Sequence, residues 1–238
     1  MQISAPVSIP KPIPGRRAPR PKLAATIVLL RELDGERQIL MGKRSKRHDF
    51  MPDVYVFPGG RVDRNDSKAP ALDAPHDRTR HILEAALPPT RARACILAAV
   101  RETFEETALV IGQSGPVPKY VPKDKSWQAF FATGHIPRIS DIELFGRAIT
   151  PPFRDKRFDT WFFLKRMSEA EACCPFSNSA ELVETDWFSL DEIEGLPTHR
   201  ATDMMLGQLK IYLSHMVPPA SIFFSRVKGR KFHFSNFP

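Results

Sequence analysis

The chain has 238 residues, 42% hydrophobic and 26% charged, with a formal net charge of +8. That balance belongs to a globular protein long enough to bury a substantial core. No apolar run nears the roughly 20 residues that cross a bilayer, and Cys95, Cys173 and Cys174 make neither a disulfide framework nor a zinc site. The excess charge lies at the ends, in Lys11, Arg16, Arg17, Arg20 and Lys22 and in Arg226, Lys228, Arg230 and Lys231; the rest holds 26 bases against 27 acids. No nucleic-acid-binding module accompanies these bases, so they read as solvated extensions and nucleic acid is set aside as a partner. The start lacks an uninterrupted apolar segment with a cleavage site, which points to the cytoplasm.

Residues 1 to 22 carry six prolines among small and basic residues and read as a flexible tail. Leu23 to Arg31 and Gln38 to Gly42, joined through Asp34-Gly35, form an expected hairpin. A basic loop, Lys43-Arg44-Ser45-Lys46-Arg47, leads to a short strand, Val54 to Phe57, which Pro58-Gly59-Gly60 breaks. Residues 64 to 90 are polar and proline-broken, with a helix expected from Arg78 to Leu87; such a connection reads as an insertion. A helix follows from about Thr90 to Ile111, then another over Lys123 to Thr133. Strands are expected at Leu144–Thr150, Asp159–Lys165 and Glu181–Phe188, and helices at Leu190–Glu194 and Thr198–His215. Phe158, Trp161, Phe162 and Phe163 read as a buried strand. Strands on both sides of a central helix indicate an α/β/α domain over residues 23 to 218 with a mixed sheet. Residues 219 to 238 are set apart as a basic C-terminal extension.

The chemistry concentrates in the long central helix. Glu102, Glu105 and Glu106 stand at i, i+3 and i+4, so three carboxylates converge on one face. Hard divalent cations such as Mg²⁺ take oxygen ligands of this kind together with substrate phosphate. Upstream, Gly59 and Gly60 free the backbone to approach a ligand closely.

Pro58-Gly59-Gly60 followed by Arg101-Glu102-Thr103-Phe104-Glu105-Glu106 resembles the Nudix box of the Nudix hydrolase superfamily, which runs Gly, five residues, Glu, seven residues, Arg-Glu-apolar-any-Glu-Glu-any-Gly-apolar. Here the box is split by the insertion. Counting back from Arg101, the glutamate slot holds Arg93; Ala108 replaces the box glycine and Thr103 takes an apolar slot. The split, with Ile149-Thr150-Pro151 and the run from Arg157 to Phe163, is similar to the branch containing the eukaryotic organellar coenzyme A diphosphatases. The resemblance spans about residues 23 to 195. It implies a Nudix-type α/β/α sandwich, Mg²⁺ or Mn²⁺ as cofactor, and hydrolysis of a diphosphate in a small molecule, coenzyme A or an acyl-CoA first. ADP-ribose or a dinucleoside polyphosphate, or a domain that senses ligand without turnover, are the alternatives.

On that resemblance Glu105 and Glu106 are the first metal ligands, with the Gly60 carbonyl, and Glu102 is the base or a third ligand. Arg101 orients the carboxylates, and Arg44, Gly59 and Arg157 bind substrate. Glu84 is a stand-in for the missing box acid, and Glu143, Glu181 and Glu184 remain open as a base from a later segment. Oligomeric state is not legible.

Overall fold

The computed structural model describes residues 17–46, 52–116, 118–229 and 231–238. Most of the proline-rich tail, and Arg47 of the basic run, lie outside them. Strand β1 (Lys22–Leu33) turns through Asp34-Gly35 into β2 (Glu36–Arg44), which takes in the first two residues of the expected basic loop. β3 (Tyr55–Val56) is followed by β4 (Gly59–Arg61). The double glycine is therefore a strand, not only the break after one. Helix α1 (Asp77–Glu84) lies in the insertion, and α2 (Pro89–Thr107) carries the glutamates. Then come β5 (Gly112–Ser114), α3 (Lys125–Ala132), β6 (His135–Pro137), β7 (Ile142–Ile149), β8 (Phe158–Arg166), α4 (Glu169–Ala172), β9 (Leu182–Ser189), α5 (Leu190–Ile193), α6 (Arg200–Ser214), β10 (Ile222–Lys228) and β11 (Lys231–Phe237).

The large sheet runs β11-β10-β7-β8-β1-β2-β3, with β4 on β1 and β9 on β2. It is mixed: β1 is parallel to β8 and β7 to β10, while the remaining pairs are antiparallel. β1 forks the sheet. Its C-terminal half pairs with β2 (Leu30 opposite Ile39), whereas its N-terminal half pairs with β4 (Ala25 opposite Gly60). The open end of the fork faces the glutamates.

Successive strand side chains point to opposite faces, so β1 serves two cores. Ala25, Ile27 and Leu29 pack with α2 and α3 beside Trp161 and Phe163, while Val28 and Leu30 pack with α6 beside Phe162 and Leu164. α2 approaches the sheet closely because it meets it with Ala92, Cys95, Ala98 and Ala99, all buried. It begins at Pro89, a position whose amide would lack an intrahelical partner in any case. It ends four residues earlier than the apolar pattern predicts, because Ala108 adopts φ 62°, ψ 1° and caps it by donating its N–H to Phe104 O.

The C-terminal segment corrects the expected domain boundary. Residues 219 to 238 build the β10–β11 hairpin, β10 pairs with β7, and Phe237 packs against Trp161 with ring centroids 5.9 Å apart. This segment reads as an appendage in sequence because its basic residues mask the apolar ones: Ile222 and Phe224, in the first half of β10, are buried, while Arg226 and Lys228, towards its end, are exposed. The insertion is also docked. Arg78 of α1 donates to Leu144 O and Pro219 O, and Thr79 donates to Ile142 O.

Candidate active site

Gly59 carries φ +150°, and a Cβ there would lie 2.5 Å from Ala25 O and Thr26 Cα. Only glycine lets this strand bring its amide to α2, where Gly59 N–H donates to Glu106 Oε2 at 2.8 Å. At Gly60, which stands in the ladder opposite Ala25, a Cβ would lie 2.6 Å from the Glu102 carboxylate. The two glycines are the surface on which the carboxylates rest.

Arg101 ties the cluster together. Its Nη1 donates to Glu102 Oε1 and to Glu105 Oε1, both at 2.8 Å, and its Nη2 donates to Arg61 O at 3.0 Å. Its other edge is taken by Asp66: Nε donates to Oδ1 at 2.7 Å and Nη2 to Oδ2 at 3.0 Å. Asp66 is fully buried. Its two oxygens also accept from Trp127 Nε1 at 3.0 Å and Asp63 N–H at 2.7 Å. A bidentate pair of this kind fixes an arginine in direction as well as place.

Asp66 is the residue that sequence reasoning missed, and the reason is arithmetic. Counted back from Arg101, the acid slot falls on Arg93, which lies half-buried in the first turns of α2 with no hydrogen bond to the cluster among the described residues. Counted forward from Gly60, five residues then an acid gives Asp66. On that spacing the acid that meets Arg101 is Asp66, and the split falls after residue 66 in the resemblance. Glu84, the proposed stand-in, ends α1 and makes no hydrogen bond or ion pair with Arg101. The two other departures have local accounts. Thr103 is buried with its hydroxyl donating to Ala99 O at 2.8 Å, so it is satisfied in an apolar slot. Ala108 occupies the left-handed position that explains a glycine there.

Burial and mutual repulsion dominate the electrostatics. Glu102 is pushed up to about 7, first by desolvation and then by Glu105, against the pull of Arg101. Glu106 is raised well above the usual carboxylate range, by desolvation and by Glu102 and Glu181, with the Gly59 amide and Arg44 opposing. Glu105 is the most exposed of the three. Arg44, at the end of β2, is pulled below its usual range by desolvation against the fields of Glu106 and Glu181.

Of the later acids, Glu181 is therefore the one facing Glu106, held where Ser45 N–H donates to its carbonyl at 2.9 Å. Glu184 is bound to Lys43 and Tyr55, and Glu143 to Arg166 and Tyr212. Lys43 likewise spends its charge on Asp53 and Glu184. Arg157 donates to Thr150 O and Pro19 O, which closes the β7–β8 turn, and the structure records no contact between it and the carboxylates.

The donor set suits a hard divalent cation: buried carboxylate oxygens with more negative charge than Arg101 and Arg44 offset. Among the described residues no three Asp, Glu, His or Cys side chains are placed as they stand to hold a metal ion together. Glu102 and Glu105 are turned onto Arg101 and Glu106 onto Gly59, so one oxygen of each meets an internal donor.

No family model and no curated protein sequence matches the chain. Solved structures do. A NUDIX hydrolase from Alicyclobacillus acidocaldarius superposes with a TM-score of 0.60 at 24% identity, covering 84% of this chain and 98% of that one. The NUDIX domain of Shewanella oneidensis NrtR, complexed with ADP ribose, gives 0.49 at 16% identity over 82% of this chain and 90% of that one. On the first of these the chain has the Nudix hydrolase fold.

Proposed function

We propose that the protein is a metal-dependent hydrolase of a diphosphate bond in a nucleoside diphosphate derivative, with coenzyme A or an acyl-CoA as the leading substrate. The observation that carries this reading is the clamp at the fork, where Asp66 and Arg101 hold Glu102 and Glu105 while Gly59 holds Glu106. Buried carboxylates kept together in this way lack enough positive charge of their own, and a phosphate ligand arriving with a cation completes the balance.

In this reading Glu105 and Glu106 hold Mg²⁺ or Mn²⁺, with Glu102 or the Gly60 carbonyl completing the set. Such an ion neutralises diphosphate charge and makes a water molecule a nucleophile near neutral pH. Glu102, with its carboxyl raised to about 7, is poised to take a proton from attacking water. Glu181 on the opposite wall is the second candidate for that role. Arg44 directs a permanent charge toward Glu106 and meets the diphosphate there. Arg157 holds the β7–β8 turn beside this end of the sheet and acts on substrate through that turn.

The branch resemblance in the split box and the basic end of β2 support coenzyme A over ADP-ribose. An acid at Asp66 bound to Arg101 supports turnover over a domain that only senses ligand. No helix among the described residues is long and apolar enough to cross a membrane, which fits a small-molecule substrate.

The test is hydrolysis of coenzyme A, acyl-CoA, ADP-ribose and dinucleoside polyphosphates with Mg²⁺ or Mn²⁺, beside Glu106→Gln. Cleavage of CoA to phosphopantetheine and an adenosine bisphosphate, reduced by about 10²-fold or more in the variant, is expected. Equal rates for both proteins, or hydrolysis of nothing, would overturn the assignment.

A further inference from the structure

The mouth of the fork is ringed by cations from segments far apart in sequence. β10 runs parallel to β7 (Ser225 beside Ala148), and β7 is antiparallel to β8 (Ile149 opposite Asp159). The β10–β11 turn and the β7–β8 turn therefore lie at one end of the sheet. It is the end where β1 starts, Lys22 pairing with Phe158, and where Ala25 faces Gly60. The N-terminus of α6 arrives at the same end. Tyr55 N–H donates to Pro197 O at 2.8 Å, and Tyr55 bridges to Thr198, while Arg44 N–H donates to Val54 O at 2.9 Å. Arg44 and the start of α6 are thus on adjoining segments.

His199 caps α6 by accepting Ala201 N–H on Nδ1. Its ring lies in the fields of Arg154, Arg44 and Arg200, with Asp203 the opposing acid, and burial together with those cations lowers its pKa. The ring therefore stays neutral and presents Nε2–H as a donor. Arg154 stands exposed in the β7–β8 turn with no salt bridge among the described residues. Arg200 stacks on Phe232 of β11, its guanidinium 4.5 Å from the ring centroid, and its Nη1 is buried with no hydrogen-bond partner among the described residues. Beyond it, Lys228 and Lys231 sit directly opposite each other across the hairpin. Like charges in that register repel. A rim that buries a guanidinium donor unpaired and places cations against one another is built for an anion that the chain does not supply.

We propose that Arg154, His199 and Arg200 form a phosphate-binding rim for a phosphate group of the substrate outside the scissile diphosphate, with Phe232 of the C-terminal hairpin holding Arg200 in place. The inference rests on the diphosphatase reading, since it is the diphosphate at Arg44 and Glu106 that sets where the further phosphate falls. The class of substrate is then a nucleotide carrying a ribose phosphate in addition to its diphosphate. The hairpin, which reads in sequence as a basic tail, becomes part of substrate recognition.

Two measurements separate this proposal from the reading it rests on. The first is calorimetric binding of adenosine 3′,5′-bisphosphate and of 5′-AMP in EDTA, which needs no turnover. The wild-type protein is expected to bind the bisphosphate about tenfold more tightly or better, the scale of one charge-assisted contact. Arg154→Ala and Arg200→Ala are each expected to shrink that ratio about fivefold or more, with Arg200→Lys retaining part of it. Phe232→Leu, which keeps the hairpin apolar, is expected to act in the same direction as Arg200→Ala. The second measurement is KM for coenzyme A against its 3′-dephospho form, where the two arginine variants are expected to raise the first far more than the second. Equal binding of the two probes by the wild type, or variants that weaken both probes alike, overturns the rim even if diphosphates are hydrolysed. Selective bisphosphate binding without hydrolysis of any diphosphate leaves the rim standing and overturns the diphosphatase reading.

Discussion

Replacing Asp66 by Asn tests the clamp with almost no change in shape. Each carboxylate oxygen accepts two bonds, Oδ1 from Arg101 Nε and Trp127 Nε1, Oδ2 from Arg101 Nη2 and Asp63 N–H. An amide presents one oxygen and one NH₂, so either rotamer turns two hydrogens toward two donors. No orientation of asparagine satisfies the site, and Arg101 loses its buried counter-charge. Removing one partner of a buried ion pair costs about 3–5 kcal/mol. The expected result is a fall in urea midpoint at unchanged m corresponding to about 4 kcal/mol, measured in EDTA so that cation binding does not intervene. A double-mutant cycle with Asp66→Ala and Arg101→Ala isolates the pair, and coupling of about 2 kcal/mol or more is expected. A loss under about 1 kcal/mol for Asp66→Asn, or coupling near zero, would refute the view that Asp66 is the acid of the box.

Ala108 holds a left-handed conformation at φ 62° while exposed at the end of α2, so Ala108→Gly relieves strain at a helix cap and should stabilise by about 1 kcal/mol, a rise in Tm of about 2–4 °C; no rise would show that the strain is absorbed elsewhere. Glu102 is raised to about 7 from 4.5, so the folded protein keeps a proton the unfolded chain has released. The stability this confers is complete below about pH 4.5 and is lost as pH rises through 7, on the order of 3 kcal/mol. In EDTA the Tm should fall over that interval, less so in Glu102→Gln, and Mg²⁺ should restore it at the upper end; identical pH slopes for both proteins would count against the raised carboxyl. Deleting residues 219 to 238 uncovers Trp161 and the β7 edge and removes buried Ile222 and Phe224, so a loss of about 5 kcal/mol or failure to accumulate as folded protein is expected. A truncated chain with an unchanged unfolding midpoint would return the segment to the status of an appendage.

Much of this protein is determined by local sequence. Alternation and apolar runs set the central strands, whose side chains divide between two cores, and the spacing of Arg101, Glu102, Glu105 and Glu106 places four functional groups on one helix by geometry alone. The double glycine announces close approach, and the structure supplies the contact. Tertiary structure decided what no local pattern encodes. Asp66 and Arg101 stand 35 residues apart, and although a count forward from Gly60 reaches the acid, only folding of the intervening segment brings it onto Arg101. Glu181, Glu184 and Glu143 are equivalent as acids in a list. Strand pairing separates them, because the pairing of β9 with β2 brings the first, just ahead of β9, toward Glu106 while the others meet Lys43 and Arg166. The basic C-terminus hides its strands for a related reason: a hairpin's place in a sheet depends on an open edge elsewhere in the chain. Here that edge is β7, and it carries the hairpin's turn to the same end of the sheet as the carboxylates. Helical spacing fixes the side chains that share one element; long-range pairing fixes which elements share a site.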